Sequence, residues 1–153
     1  MVKIEPTTLA HVRYVAAHMR ETDIKEIGAC GELPMSSLTK GYESSVICNS
    51  LTIDGVPCAI FGVAEMTKDI GIPWLLGTDG VKSIRREFIA GCREVVGEML
   101  ELYPVLTNCV DERNLTSIRW LKWLGFKILP SVPFGKNGEL FHPFEMRLNN
   151  VPD

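Results

Sequence analysis

Residues 72 to 110 constrain the fold more than any other stretch of this chain of 153 residues. Ile72 to Leu76 is a short apolar run, Gly80 to Leu102 carries apolar residues at helical spacing, and Val105 to Val110 is apolar again. A strand, a long amphipathic helix and a second strand predict a β-α-β unit. Strands joined in that way run parallel in one sheet, because the helix returns the chain to the end it left. The stripe of the helix is Val81, Ile84, Phe88, Cys92, Val95 and Met99. Lys82, Arg86, Arg93, Glu94 and Glu98 lie mostly off it. Tyr103-Pro104 ends it, since the residue before a proline leaves the helical region.

Before this unit the period changes to that of strands. Ser45 to Ile53 and Pro57 to Glu65 flank Asp54-Gly55, a two-residue hairpin signal, so they and Ile72 to Leu76 predict an antiparallel meander. The chain opens with a strand over Val2 to Glu5 that Pro6 ends. A helix follows from a Thr7 or Thr8 cap to about Arg20, and a second helical segment covers Asp23 to Ala29. Gly31 to Tyr42, with Pro34 and two glycines around a short helical patch, is expected to be the most irregular part. After the β-α-β unit, Asn114 caps a helix that stops at Gly125, and Phe126 can fold back on Leu121. Strands near Lys127 to Val132 and Leu140 to Leu148 close the chain. The order β-α-α-β-β-β-α-β-α-β-β predicts a single α/β domain over 1–153. Its sheet is mixed and mostly antiparallel, of about six to seven strands, with helices on both faces.

Composition removes several function classes. Hydrophobic residues make up 46% of the chain and the net charge is −3, so disorder is excluded as the main state. The 16 Lys and Arg stand against 19 Asp and Glu, which leaves no global positive field and argues against a nucleic-acid partner. Cys30, Cys48, Cys58, Cys92 and Cys109 are odd in number and include no C-x-x-C pair. That favours free thiols in a reducing compartment over disulfides or a zinc site, and no metal is expected. With no apolar h-region at the start and no membrane-length apolar run, the expected setting is the cytoplasm.

The segment Asn114-Leu115-Thr116-Ser117-Ile118-Arg119-Trp120-Leu121-Lys122-Trp123-Leu124-Gly125-Phe126, placed after a β-α-β unit, resembles the matching part of the GNAT superfamily of acyl-CoA N-acyltransferases. In that family the fifth strand leads through Asn into a short helix with an aromatic-x-x-x-Gly-Phe type of ending. The likeness extends over nearly the whole chain. A closer likeness is to small phage-encoded GNAT-like proteins, virion components among them. It rests on Ala16-Ala17-His18-Met19-Arg20-Glu21-Thr22-Asp23, the Asp54-Gly55 hairpin and Tyr103-Pro104-Val105-Leu106-Thr107-Asn108.

The resemblance implies acetyl-CoA or another acyl-CoA as cofactor and an amine as acceptor. The acyl-pantetheine arm would lie in a gap between strands 72–76 and 105–110, against the backbone of Trp74, Leu75 and Leu76. The pyrophosphate would fall at the start of the following helix, where Lys82, Ser83, Arg85 and Arg86 are the binding candidates and Asn114 is a further cofactor contact. The family's glycines in this loop fall near Lys82 and Ile84, so the loop pattern is not kept. Trp120 and Leu121 stand where many members place a Tyr acid, and neither donates a proton as a phenol does. Glu65 is the candidate base, with Glu43, Asp111 and Glu112 as other carboxylates. Two functions remain open from sequence. One is an acyl-CoA-dependent N-acyltransferase that passes acetyl to an amine. The other is a non-catalytic phage virion or host-interaction protein, meeting a phage or host protein through Trp120 and Trp123, in the host cytoplasm or packaged in a virion.

Overall fold

The computed structural model describes residues 1–84 and 88–148. Its elements are β1 (Val2–Pro6), α1 (Leu9–Ala17), α2 (Glu21–Ala29), α3 (Pro34–Ser44), β2 (Ser45–Ile53), β3 (Val56–Glu65) and β4 (Ile70–Gly77). A 3-10 turn (Asp79–Ser83) follows, then α4 (Ile89–Leu102), β5 (Val105–Asp111), α5 (Leu115–Leu124), β6 (Lys127–Ile128), β7 (Val132–Pro133) and β8 (Leu140–Arg147). One sheet runs β1-β2-β3-β4-β5-β8-β6, with β7 also paired to β8. All pairings are antiparallel except β4 with β5, so the expected mixed sheet and β-α-β unit are present.

Two apolar layers hold helices on the two faces. On one face α4 and α5 bury Cys92, Val95, Val96, Met99 and Trp120 against Phe61, Val63 and Leu106. On the other, Val12, Val15, Ile27 and Leu38 of α1, α2 and α3 pack on Ile60 and Leu76. Burial of side chains this size stabilises by roughly 1.5–3 kcal/mol each before entropy is counted. The turn residues behave as their chemistry demands. Asp54 and Gly55 both take positive φ, and Gly125 ends α5 at φ 101°, where Phe126 N–H closes on the Leu121 carbonyl at 2.9 Å.

Four expectations are corrected. The stretch expected to be irregular is largely the regular helix α3. Pro34 sits at its first position, where the missing N–H costs nothing, and Leu38 is fully buried below it. The helix expected over 80–102 is instead the 3-10 turn followed by α4. Thr78 accepts from Gly80 N–H to start the turn, and Ile84 is extended, which breaks the helical register. The first helix stops at Ala17 rather than near Arg20, because Met19 bridges to Thr78 and Arg20 N–H bonds the Gly77 carbonyl at 2.9 Å. Finally the sheet has eight strands. The strand expected over 127–132 is split, since Pro130 has no N–H to continue a ladder.

Candidate functional site

The parallel pairing of β4 with β5 is confined to Ile70 with Val105 and Gly71 with Leu106. Beyond those two rungs the strands part. Asn108 Nδ2 reaches across to the Pro73 carbonyl at 2.8 Å, while its Oδ1 accepts Cys109 N–H at 2.8 Å. Past that bridge a cavity of about 300 Å³ opens through the sheet. It is bordered by Trp74, Leu75 and Leu76 of β4 and by Cys109 and Val110 of β5. Trp74 is fixed by its Nε1–H on Ser45 Oγ at 2.7 Å. Its ring lies so close to Gly41 that a side chain there would overlap it, with a Cβ 2.6 Å from the ring. Small size at position 41 is therefore what lets α3 pass beside the cavity.

The wide end of the gap is spanned by polar side chains from α2. Asp23 is fully buried; its Oδ2 accepts Arg20 Nε at 2.6 Å and Gly77 N–H at 2.8 Å, and its Oδ1 accepts Asn114 Nδ2 at 2.9 Å. Arg20 also donates to Ser117 Oγ at 2.6 Å. Glu26, one turn along, accepts Asp111 N–H at 2.8 Å and Asn114 Nδ2 at 3.4 Å. Burial pushes the Glu26 carboxyl up to about 7, with the neighbouring Asp23 and Asp111 adding to the rise and the two donors opposing it. Asp111 goes the other way: the Arg113 guanidinium, donating at 2.9 and 2.6 Å, holds it below the usual carboxylate range.

The residues singled out from sequence are placed unevenly. Trp74, Leu75 and Leu76 border the cavity. Lys82 and Ser83 are exposed on the 3-10 turn after β4, and Lys82 Nζ lies 3.8 Å from Asp79. Arg85 and Arg86 lie outside the described residues. Asn114 is buried and caps α5 by accepting Ser117 N–H, while its amide is committed to Asp23 and Glu26. Glu65 ends β3 beside Gly71, at the narrow end of the gap, and accepts the Tyr103 hydroxyl at 3.0 Å. The cavity lies further along the strands. Glu43 is exposed on α3, and Glu112 follows β5. Trp120 is only 8% exposed within the core, so it does not offer the surface contact expected of it. Trp123 packs against the same core, and its carbonyl accepts Arg93 Nε at 3.1 Å.

Arg20, Asp23, Glu26 and Asn108 were not singled out from sequence. The first three stand at i, i+3 and i+6, which places them on one helical face, and that spacing was the available signal.

No protein-family model matches the sequence, and no curated protein matches it. Solved structures do. AAC(6')-Ib in complex with ribostamycin and coenzyme A superposes with a TM-score of 0.68 at 13% identity, covering 99% of this chain and 98% of that one. A ribosomal-protein-alanine N-acetyltransferase from Brucella melitensis gives 0.67 at 12% identity, covering 95% and 99%. An acetyltransferase of the GNAT family from Bacillus anthracis gives 0.69 at 7% identity, covering 95% and 94%. The chain has the GNAT acetyltransferase fold. In that fold's terms, the gap between β4 and β5 found here is the one expected from the Asn114 to Phe126 resemblance.

Proposed function

We propose that the chain is an acyl-CoA-dependent N-acyltransferase that passes an acyl group, acetyl in the simplest case, to an amine. The observation that carries this reading is the early end of β4–β5 pairing, with a cavity between the strands just where their ladder stops. An extended pantetheine arm can lie along Trp74, Leu75 and Leu76 as an added strand would. A structural neighbour holding coenzyme A supports the same assignment. Lys82, Ser83, Arg85 and Arg86 are the residues proposed to meet the pyrophosphate, as cations and a hydroxyl in the segment that follows β4 in sequence. Asn114 is assigned a positioning role, since its amide already serves Asp23 and Glu26.

Thermal unfolding with and without acetyl-CoA tests this. At ligand about a hundredfold above Kd, stabilisation is about 2.7 kcal/mol, or a rise in Tm of roughly 5–10 °C for a chain of this size. No rise at millimolar acetyl-CoA overturns the reading. A rise without thiol release on addition of any amine leaves a binding protein rather than an enzyme.

A further inference from the structure

The cavity reaches both faces of the sheet, and the two sides differ chemically. Towards α4 and α5 it is bordered by apolar groups such as Val96, Met99 and Leu121. Towards α2 and α3 it is bordered by Glu26, Glu32, Ile27 and Phe134. The carboxylates on and beside this side are not equivalent. Glu32 is held by Lys40 at 2.6 Å, Asp23 by Arg20 at 2.6 Å and Asp111 by Arg113 at 2.6 Å. Glu26 meets only amide donors among the described residues. A carboxylate facing a cavity with two like charges beside it and no cation of its own is stabilised by a cation brought from outside.

Phe134 is the second part. It is 53% exposed yet borders the cavity, and its ring is backed by the buried ring of Phe141, with centroids 5.2 Å apart. The segment joining β7 to β8 is pinned in place. Phe134 N–H bonds the Glu139 carbonyl at 3.0 Å, and Lys136 N–H bonds the Ala29 carbonyl at the end of α2 at 2.6 Å. An exposed aromatic held against a fixed neighbour gives up little entropy on covering an apolar ligand.

We propose that the α2–α3 side of the cavity is an acceptor site for a primary amine carried on an apolar body, with the ammonium at Glu26 and the apolar part on Phe134. The chemical step rests on the acyl-transfer reading above; the binding site does not. In that step Glu26 takes one proton from the ammonium. The amine nitrogen then forms a bond to the thioester carbonyl carbon and the C–S bond breaks. The CoA thiolate takes the second proton lost by nitrogen, and Glu26 returns its proton to solvent. A polyhydroxylated amine fits less well, because its hydroxyls would lose water against Phe134 and Ile27 without partners.

The groups facing Glu26 are Asp23 of α2, Cys30 just after α2, Cys109 and Asp111 of β5 and Asn114 at the cap of α5, with Lys136 and Glu139 on the β7–β8 connection nearby. The test titrates phenethylamine, spermidine and ribostamycin into the full chain by calorimetry, with and without saturating coenzyme A, from pH 5 to pH 9. Phenethylamine is expected to bind best, and to gain affinity as pH rises through the titration of Glu26. Phe134→Ala should weaken it roughly tenfold, the equivalent of some apolar area returned to water. Glu26→Gln should weaken it at pH 8 and flatten the pH profile. Preference for spermidine or ribostamycin, indifference to either substitution, or no amine binding overturns the proposal. If coenzyme A fails to bind while phenethylamine binds with these dependences, the acceptor site stands and the acyl-transfer reading falls. If coenzyme A binds and none of these amines does, the acceptor site falls and only the cofactor half of the acyl-transfer reading stands.

Discussion

Glu26 shows how far burial and neighbours can move one side chain. Its carboxyl ordinarily titrates near 4.5 and here does so at about 7. The folded state therefore holds a proton that the unfolded chain releases between those values. The native form binds more protons across that window, so stability falls as pH rises through it. Glu26→Gln keeps an oxygen for the Asp111 N–H and removes the charge. The variant should match the parent below pH 4.5 and be more stable by about 3 kcal/mol above pH 8, read by chemical denaturation at both pH values. Equal stability at pH 8 would contradict the assigned burial. Sequence did not mark this residue. The candidate base Glu65 was chosen for its place at a strand end, but the strand end it occupies is the closed one, where its partner is Tyr103. Which end of a strand faces a gap depends on pairing with β5, and that pairing is long-range.

At the scale of elements, α2 departs from the rule that charged residues turn outward. Asp23 is fully buried, whereas Ile24 beside it is 42% exposed. The Thr cap of α1 and the apolar stripe of α4 made those helices legible, even where their starts and ends shifted. For α2, the segment expected over Asp23 to Ala29 falls two residues short of the observed start at Glu21, and its buried face was not marked, because a polar face inside pays off only when specific donors meet it. Here the donors come from Arg20, from the end of β4 and from the start of α5. Asp23→Ala would remove an acceptor from all three and strand the Arg20 charge, which is only 4% exposed. A loss of about 3–5 kcal/mol is expected in urea unfolding. A loss below about 1 kcal/mol would mean that water replaces the carboxylate easily and that α2 does not brace the gap. The opposite case is α5, where Asn114 as cap and Gly125 at positive φ follow from local rules, and both were readable without any knowledge of the fold.

Across the whole molecule, the meander and the β-α-β unit were legible because each is set by periodicity and short turns. The split of the strand expected over 127–132 into β6 and β7 was not, since each piece is two residues long and takes its register from β8 alone. The gap itself was expected only through the GNAT likeness. Its physical form is a sheet in two parts, β1 to β4 and β5 to β8, with two rungs of parallel ladder between them. Asn108→Ala removes the side-chain bond that supports those rungs. Hydrogen exchange read by mass spectrometry should speed up in residues 70–73 and 105–110 and stay unchanged in the β2–β3 hairpin. Uniform acceleration would instead mean that the two parts open only together.

The same arrangement has a mechanical side. A load applied between the outer strands β1 and β6 would pass along continuous ladders until it reached the middle of the sheet. There it would rest on two backbone rungs, the Asn108 bond and the contacts that α2 makes with both parts. The yield point of this protein lies at its centre rather than at its edges.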